Sequence, residues 1–219
     1  MRHFKKIVSK RRLCPFLLII FVLSVSISAA QDKVVVIPLF DDQKATGQPA
    51  PIPRTGQTTT YETGDDGDFQ KGVAWPNPRF ADNEDGTVTD NLTGLIWMKQ
   101  ANCFGQKNWY QALSDCNTLA DGSCGISDGS SAGDWRLPNL REILSLIHYG
   151  VSLPTLSDTD GTGKWSEGDP FNGVISYYWS STIDASNTEN AWLVLFYFGD
   201  LFRHGKNSNY YFWCVHDGN

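Results

Sequence analysis

Beyond residue 30 the chain contains no cluster of basic side chains, and that absence removes one large class of partner. Six of the eighteen Lys and Arg (Arg2, Lys5, Lys6, Lys10, Arg11, Arg12) lie in the first thirty residues, together with none of the twenty-four Asp and Glu. The rest of the chain carries twelve basic against twenty-four acidic side chains, a formal charge of −12. Such a balance repels polyanions at long range and no run of basic residues gathers to offset it, so no nucleic-acid partner is expected. A long apolar run is missing too: the stretch from Phe16 to Val25 is too short to cross about 30 Å of hydrocarbon. Cys14 precedes that stretch, where a lipoprotein-type anchor needs a cysteine after it. Catalytic signatures are also lacking. No nucleophile elbow, phosphate loop, HExxH or Cys–His spacing surrounds His148, His204 or His216, so a non-catalytic protein is expected.

The residues that are present begin with a layout typical of export. A basic start, a short apolar stretch and the small residues Ser26, Ser28, Ala29 and Ala30 read as a signal peptide, residues 1–30, cleaved near Ala30. Gln31 to Thr63, with Pro49, Pro51, Pro53 and a polar Thr-rich string, reads as a flexible leader, and residues 64–219 as the folded domain. The protein is therefore expected to be secreted, periplasmic or held at the cell surface, with no transmembrane span after cleavage. Four cysteines come after the leader: Cys103, Cys116, Cys124 and Cys214. An even number in an exported chain favours two disulfides, and three pairings are open. The C-x12-C and C-x7-C spacings lack a zinc knuckle.

The apolar pattern predicts an α+β domain. Thr87 to Asp90 and Leu95 to Lys99 read as two short strands joined by a turn at Asn91–Gly94. Asn108 caps a helix whose Trp109, Ala112, Leu113, Cys116, Leu119 and Ala120 recur at helical spacing, which sends Cys116 to the core. Asn139 and Glu142 have capping-box spacing and open a second helix through Leu140, Ile143, Leu144 and Ile147, with His148 ending it and Gly150 stopping it. A long loop from Val151 to Ile175 leads to three aromatic strands: Tyr177–Thr182, Ala191–Phe198 and Tyr210–His216. Gly199–Asp200 and Gly205–Asn209 supply their turns. Ala191–Phe198, apolar on both faces, is expected to be the central strand.

The strings RFADNEDGTVTDNLTGLIWMK, GDWRLPNLREILSLI, YYWSST, NAWLVLF and FWCVHDG, in this order, resemble the bacterial Lcl C-terminal-like domain family, named after a Legionella collagen-like adhesin. The resemblance runs from about Thr55 to the end. It implies a C-type lectin-like fold, related to the formylglycine-generating-enzyme type: two helices with a small twisted antiparallel sheet and long loops. It also implies a Cys116–Cys214 bond between the first helix and the last strand, which leaves Cys103 with Cys124. Calcium-dependent sugar binders of that class carry EPN or QPD and WND motifs, and the corresponding strand here reads YYWSST. Enzymes of the related type need two free thiols for copper, which the implied pairing consumes. The founding adhesin's association with sulfated glycans transfers poorly to a charge of −12.

Three acidic clusters raise calcium as a cofactor: Asp65, Asp66 and Asp68; Asp82, Asn83, Glu84, Asp85 and Asp90; Asp158 and Asp160. The alternating ligand positions of a calcium loop would fall on Ala81 in the second and Leu156 in the third, so they read as Asx-rich turns and no cofactor is expected. Trp135, Arg136, Pro138, Trp179, Ser180 and Ser181 are read as structural, with Arg136 and Glu142 as a buried ion pair. The functional signal is strongest in the last third. Asn187, Asn190, Tyr197, Asp200, Arg203, His204, Asn207, Asn209, Tyr210 and Tyr211 combine rigid rings with small polar groups, the composition of an adaptable binding face. The expected function is an exported adhesion-type binding module for a carbohydrate or protein ligand; an enzyme of the formylglycine-generating type and a structural envelope protein are the alternatives.

Overall fold

A computed structural model describes residues 52–175 and 177–218 of the chain. The expected signal peptide and most of the expected leader lie outside the described residues. Among the described residues the fold is α+β, with three short helices and two antiparallel sheets. Helix α1 spans Asp66–Phe69, strand β1 Phe80–Asp82, β2 Thr87–Asp90, β3 Ile96–Met98, helix α2 Trp109–Thr118, strand β4 Trp135–Arg136 and helix α3 Leu140–Ser145. Strands β5 Tyr177–Ile183, β6 Asn190–Leu195, β7 Asp200–Gly205 and β8 Val215–His216 complete the chain. One sheet has the order β1-β2-β3-β8-β4 and the other β5-β6-β7. Among the described residues, no helix is long and apolar enough to cross a membrane.

Local signals account for several of these elements. The β2–β3 turn is closed by the Asp90 carbonyl, which accepts from the Gly94 amide at 2.7 Å, and Gly94 takes the positive φ of +76° that the turn needs. The expected capping box of Asn139 with Glu142 forms on α3, and the expected cap at Asn108 is completed by Gln111 into a second box on α2. Helix α2 buries Trp109, Ala112 and Cys116 on one stripe, as its spacing predicts. The two disulfides join Cys103 to Cys124 and Cys116 to Cys214.

Four expectations need correction. Helix α3 stops at Ser145, so Ile147 lies beyond it and forms a β-bridge with Leu156, while the His148 amide donates to the Thr155 carbonyl at 2.8 Å. Tertiary pairing with the 155–156 segment outcompetes another helical turn. The third strand of the aromatic sheet is β7, not Tyr210–His216. That last stretch divides, Tyr210 bridging Lys107, Tyr211 bridging Tyr178, and β8 running between β3 and β4. The expected strand Ala191–Phe198 ends at Leu195, and Tyr197 and Phe198 belong to the exposed hairpin turn. Finally, in place of one sheet and two helices, the chain builds a second, five-stranded sheet and adds α1, capped by Asp65. Residues 52–63, read as the end of the leader, are tied to the body: the Arg54 amide donates to Val73, and the Tyr149 amide to the Thr55 carbonyl at 2.9 Å.

The last aromatic stretch is needed in the centre of the molecule. Trp213 is fully buried and packs on Trp97, Phe171, Tyr178 and Phe196 with ring centroids 4.8 to 6.0 Å apart. Its indole N–H donates to the Met98 carbonyl at 2.7 Å. Rings of this size bury about 150 to 250 Å² each, so burying Trp213 and its neighbours outweighs extension of the outer sheet. Trp135, Trp179 and Ser180 are also fully buried, in keeping with their structural reading.

His148 is buried as well, its ring against Trp75 at 4.8 Å and its Nδ1 accepting from the Gly150 amide at 3.0 Å. The sequence places it at a helix end, but the helix has already stopped. Burial pushes the imidazole below its ordinary value of 6.5, with nearby Arg79 adding to the effect and Asp158 opposing it. The unfolded chain therefore binds this proton more readily than the folded one. The contribution is intact above pH 6.5 and lost as pH falls from there through the folded-state value. Urea titrations between pH 7.5 and 4.5 should show stability falling through that window, less steeply in H148Q; equal slopes would refute a buried neutral His148.

Candidate functional site

The register of the outer sheet decides which expected site residues meet. Leu195 pairs with Asp200, Leu193 with Phe202 and Ala191 with His204, while on the other side Tyr177 pairs with Leu195 and Trp179 with Leu193. Directly opposed residues share a face, so Tyr177, Trp179, Asp200, Phe202 and His204 lie on one side of the sheet. Tyr210, arriving through its bridge to Lys107, packs on that side: its ring lies 5.6 Å from Tyr177, 5.1 Å from Trp179 and 5.2 Å from His204. Phe202 closes on Tyr177 at 5.7 Å and is 42% exposed. The result is an aromatic platform with its inner rings buried and its outer rings open to solvent.

Strand β7 is exposed from Asp200 to His204 and forms one edge of the three-stranded sheet. Burial raises the Tyr210 phenol above its ordinary value, so it stays a protonated donor at neutral pH. His204 Nδ1 lies 2.9 Å from Ser208 Oγ, and among the described residues no carboxylate bonds its other ring nitrogen. The face therefore offers stacking area with hydroxyl and imidazole groups at its rim.

The other predicted residues are not all on this platform. Asp200, His204 and Tyr210 meet there, with Asn207 and Asn209 exposed in the adjoining turn. Arg203 points to the opposite face, lying over Trp192 at 5.4 Å and reaching Asp184 at 3.4 Å. Asp184, held by the Ser186 hydroxyl and amide, is kept below the usual carboxylate range and fixes the β5–β6 turn. Asn187 belongs to that turn, its side chain accepting from the Glu189 amide, and Asn190 opens β6. Tyr197 sits at the opposite end of the β6–β7 hairpin, and Tyr211 turns to Tyr178, 6.1 Å away. Sequence reasoning misses Phe202 and Tyr177. The segment Asp200–Gly205 (DLFRHG) carries no period-2 pattern to mark a strand, and Tyr177 meets Phe202 only through the register of β5, β6 and β7.

The acidic clusters are taken up locally. Asp65 caps α1 and accepts from the Tyr61 and Glu62 amides, the first the stronger, which holds it below its ordinary value. Asp66 bonds Thr55, Asp82 pairs with Lys99, Asp85 accepts from Thr87, and Asp90 faces Arg79. Asp158 accepts from the Thr162 amide at 3.0 Å. Among the described residues, no group of three or more His, Cys, Asp or Glu side chains is placed to hold a metal ion. Arg136 and Glu142 do form a bidentate pair, at 2.7 and 2.8 Å, but at the half-exposed surface, where Asp217 joins them. Those contacts raise the guanidinium pKa, Glu142 contributing most.

Fold and face together define a disulfide-stapled α+β domain with an open aromatic strand. The chain belongs to the Lcl C-terminal domain family, whose pattern residues 86–216 match. That match spans β2 to β8 and so includes the whole platform. Among curated proteins, none matches the chain.

Proposed function

We propose that this chain is an exported, non-catalytic binding module of the adhesion type, which recognises a carbohydrate or protein ligand outside the cytoplasm through the platform of Tyr177, Phe202, His204 and Tyr210. The carrying observation is the open strand β7, where Phe202 is 42% exposed above rings that are themselves packed. An exposed aromatic on a rigid strand offers binding area at little entropic cost. Family membership supports the adhesin-like role, and two disulfides fit an oxidising compartment. All four cysteines among the described residues are bonded, which supports a binding role over copper-thiol chemistry. The architecture is read as C-type lectin-like, supported by the bond from α2 to the residue preceding β8.

Glycan arrays and pull-downs from cell-surface extracts identify the ligand. With the ligand in hand, F202A and Y210A should each weaken binding about tenfold, in the range of an interface anchor. Y211A, turned away from the platform, should leave it within about twofold by the same argument. Unchanged affinity in an F202A/Y210A double variant that keeps its melting temperature would overturn the assignment of the face.

A further inference from the structure

Away from the platform, residues 52–55 and helix α3 enclose an open pocket of about 390 Å³. Its apolar lining comes from Ile52, Trp75, Leu144, Ile147 and Tyr149. Two backbone anchors hold it open: the Trp75 indole donates to the Arg54 carbonyl at 2.8 Å, and the Tyr149 amide donates to the Thr55 carbonyl at 2.9 Å. Two cationic residues, Arg54 and Arg141, are also among the lining residues, and no Asp or Glu among the described residues is. This is a local reversal of sign in a chain with six more acidic than basic residues.

The polar groups divide sharply into used and unused. The Thr55 hydroxyl is bonded to Asp66 and the Ser145 hydroxyl donates to the Glu142 carbonyl, so neither is free to donate to a ligand. The Arg54 Nη1 donates to Gln70 Oε1 at 3.5 Å while its Nε is buried with no hydrogen-bond partner, and Arg141 makes no ion pair among the described residues. A neutral sugar would meet an apolar wall with few acceptors. A ligand with one carboxylate and an aliphatic side chain would satisfy both the cations and the wall.

We propose that this pocket binds the C-terminus of a partner peptide, with an aliphatic last residue against Ile52, Leu144 and Ile147 and its α-carboxylate on Arg54 and Arg141. A guanidinium can pair bidentately with a carboxylate, and an aliphatic side chain of leucine size fits a pocket at the small end of the ligand-site range. This site is separate from the β7 platform and does not depend on its assignment.

Calorimetric titration of the full chain with N-acetyl-leucine, N-acetyl-leucinamide and glucuronic acid tests it. N-acetyl-leucine should bind, and the amide about tenfold more weakly, the loss expected when a charge-assisted contact is removed. R141Q, at an exposed position on α3, should weaken the acid about tenfold and leave the amide unchanged. R54Q should act in the same direction. Equal binding of acid and amide, binding of glucuronic acid without N-acetyl-leucine, or no binding of any probe would each overturn the proposal.

Discussion

Replacing Asp90 by Ala is expected to lower the unfolding free energy by about 3 to 5 kcal/mol, the cost of leaving a buried charge without its partner. Arg79 and Asp90 are both fully buried and joined by two hydrogen bonds, at 2.7 and 2.8 Å. The guanidinium lies between Trp75 and Phe80, 4.3 and 4.8 Å from their rings, and donates to the Ser145 carbonyl at 3.0 Å. Asp90 has a second duty: it accepts from the Leu92 amide and the Thr93 hydroxyl, closing the β2–β3 turn. D90N keeps a turn acceptor but removes the charge, so its loss should be smaller than that of D90A. The double variant R79M/D90A should recover part of the loss, because no unpaired cation remains. Urea denaturation of the three variants measures this; a loss under about 1 kcal/mol in D90A would mean that water reaches Arg79 in the fold.

The second large effect concerns the bond between Cys116 and Cys214. Both residues are fully buried, and the bond closes a loop of 98 residues. Loop-closure entropy predicts a loss of about 4 to 5 kcal/mol in C116A/C214A, before any loss of packing around the missing sulfur atoms. The Cys103–Cys124 bond spans only 21 residues and lies at the surface, Cys103 exposed and Cys124 half-buried. Its removal should cost about 3 kcal/mol on the same reasoning. Access differs in the same sense. Under mild reduction followed by alkylation and peptide mapping, Cys103 and Cys124 should be labelled first, and Cys116 and Cys214 only on unfolding. Simultaneous labelling of all four would show that the core opens as readily as the surface loop.

Much of this fold is legible locally. The caps at Asn108 and Asn139 are set by short side chains bonding amides three residues on, an interaction internal to each segment. The same holds for the Asn91–Gly94 turn and the inward stripe of α2. The platform is half legible: composition marks Tyr210 and His204, but Phe202 and Tyr177 join them only through strand register. Register follows from pairing partners, and the partner of β6 is not the chain's last stretch, as the aromatic pattern suggests, but the six residues after Gly199. The pocket at Arg54 and Arg141 carries no sequence signal, because it is assembled from segments almost ninety residues apart.

The sequence by itself determined the balance of charge, the four-cysteine framework, the two capped helices and, through five ordered motifs, the family. These depend on composition or on neighbours within a few residues. Tertiary structure alone decided that α3 ends at Ser145, that β8 leaves the aromatic sheet for the space between β3 and β4, and that Asp90 turns inward to Arg79. In each case a buried competitor prevailed over the local pattern: the pairing of Ile147 with Leu156, the central packing of Trp213, and the need of a buried guanidinium for a counter-charge.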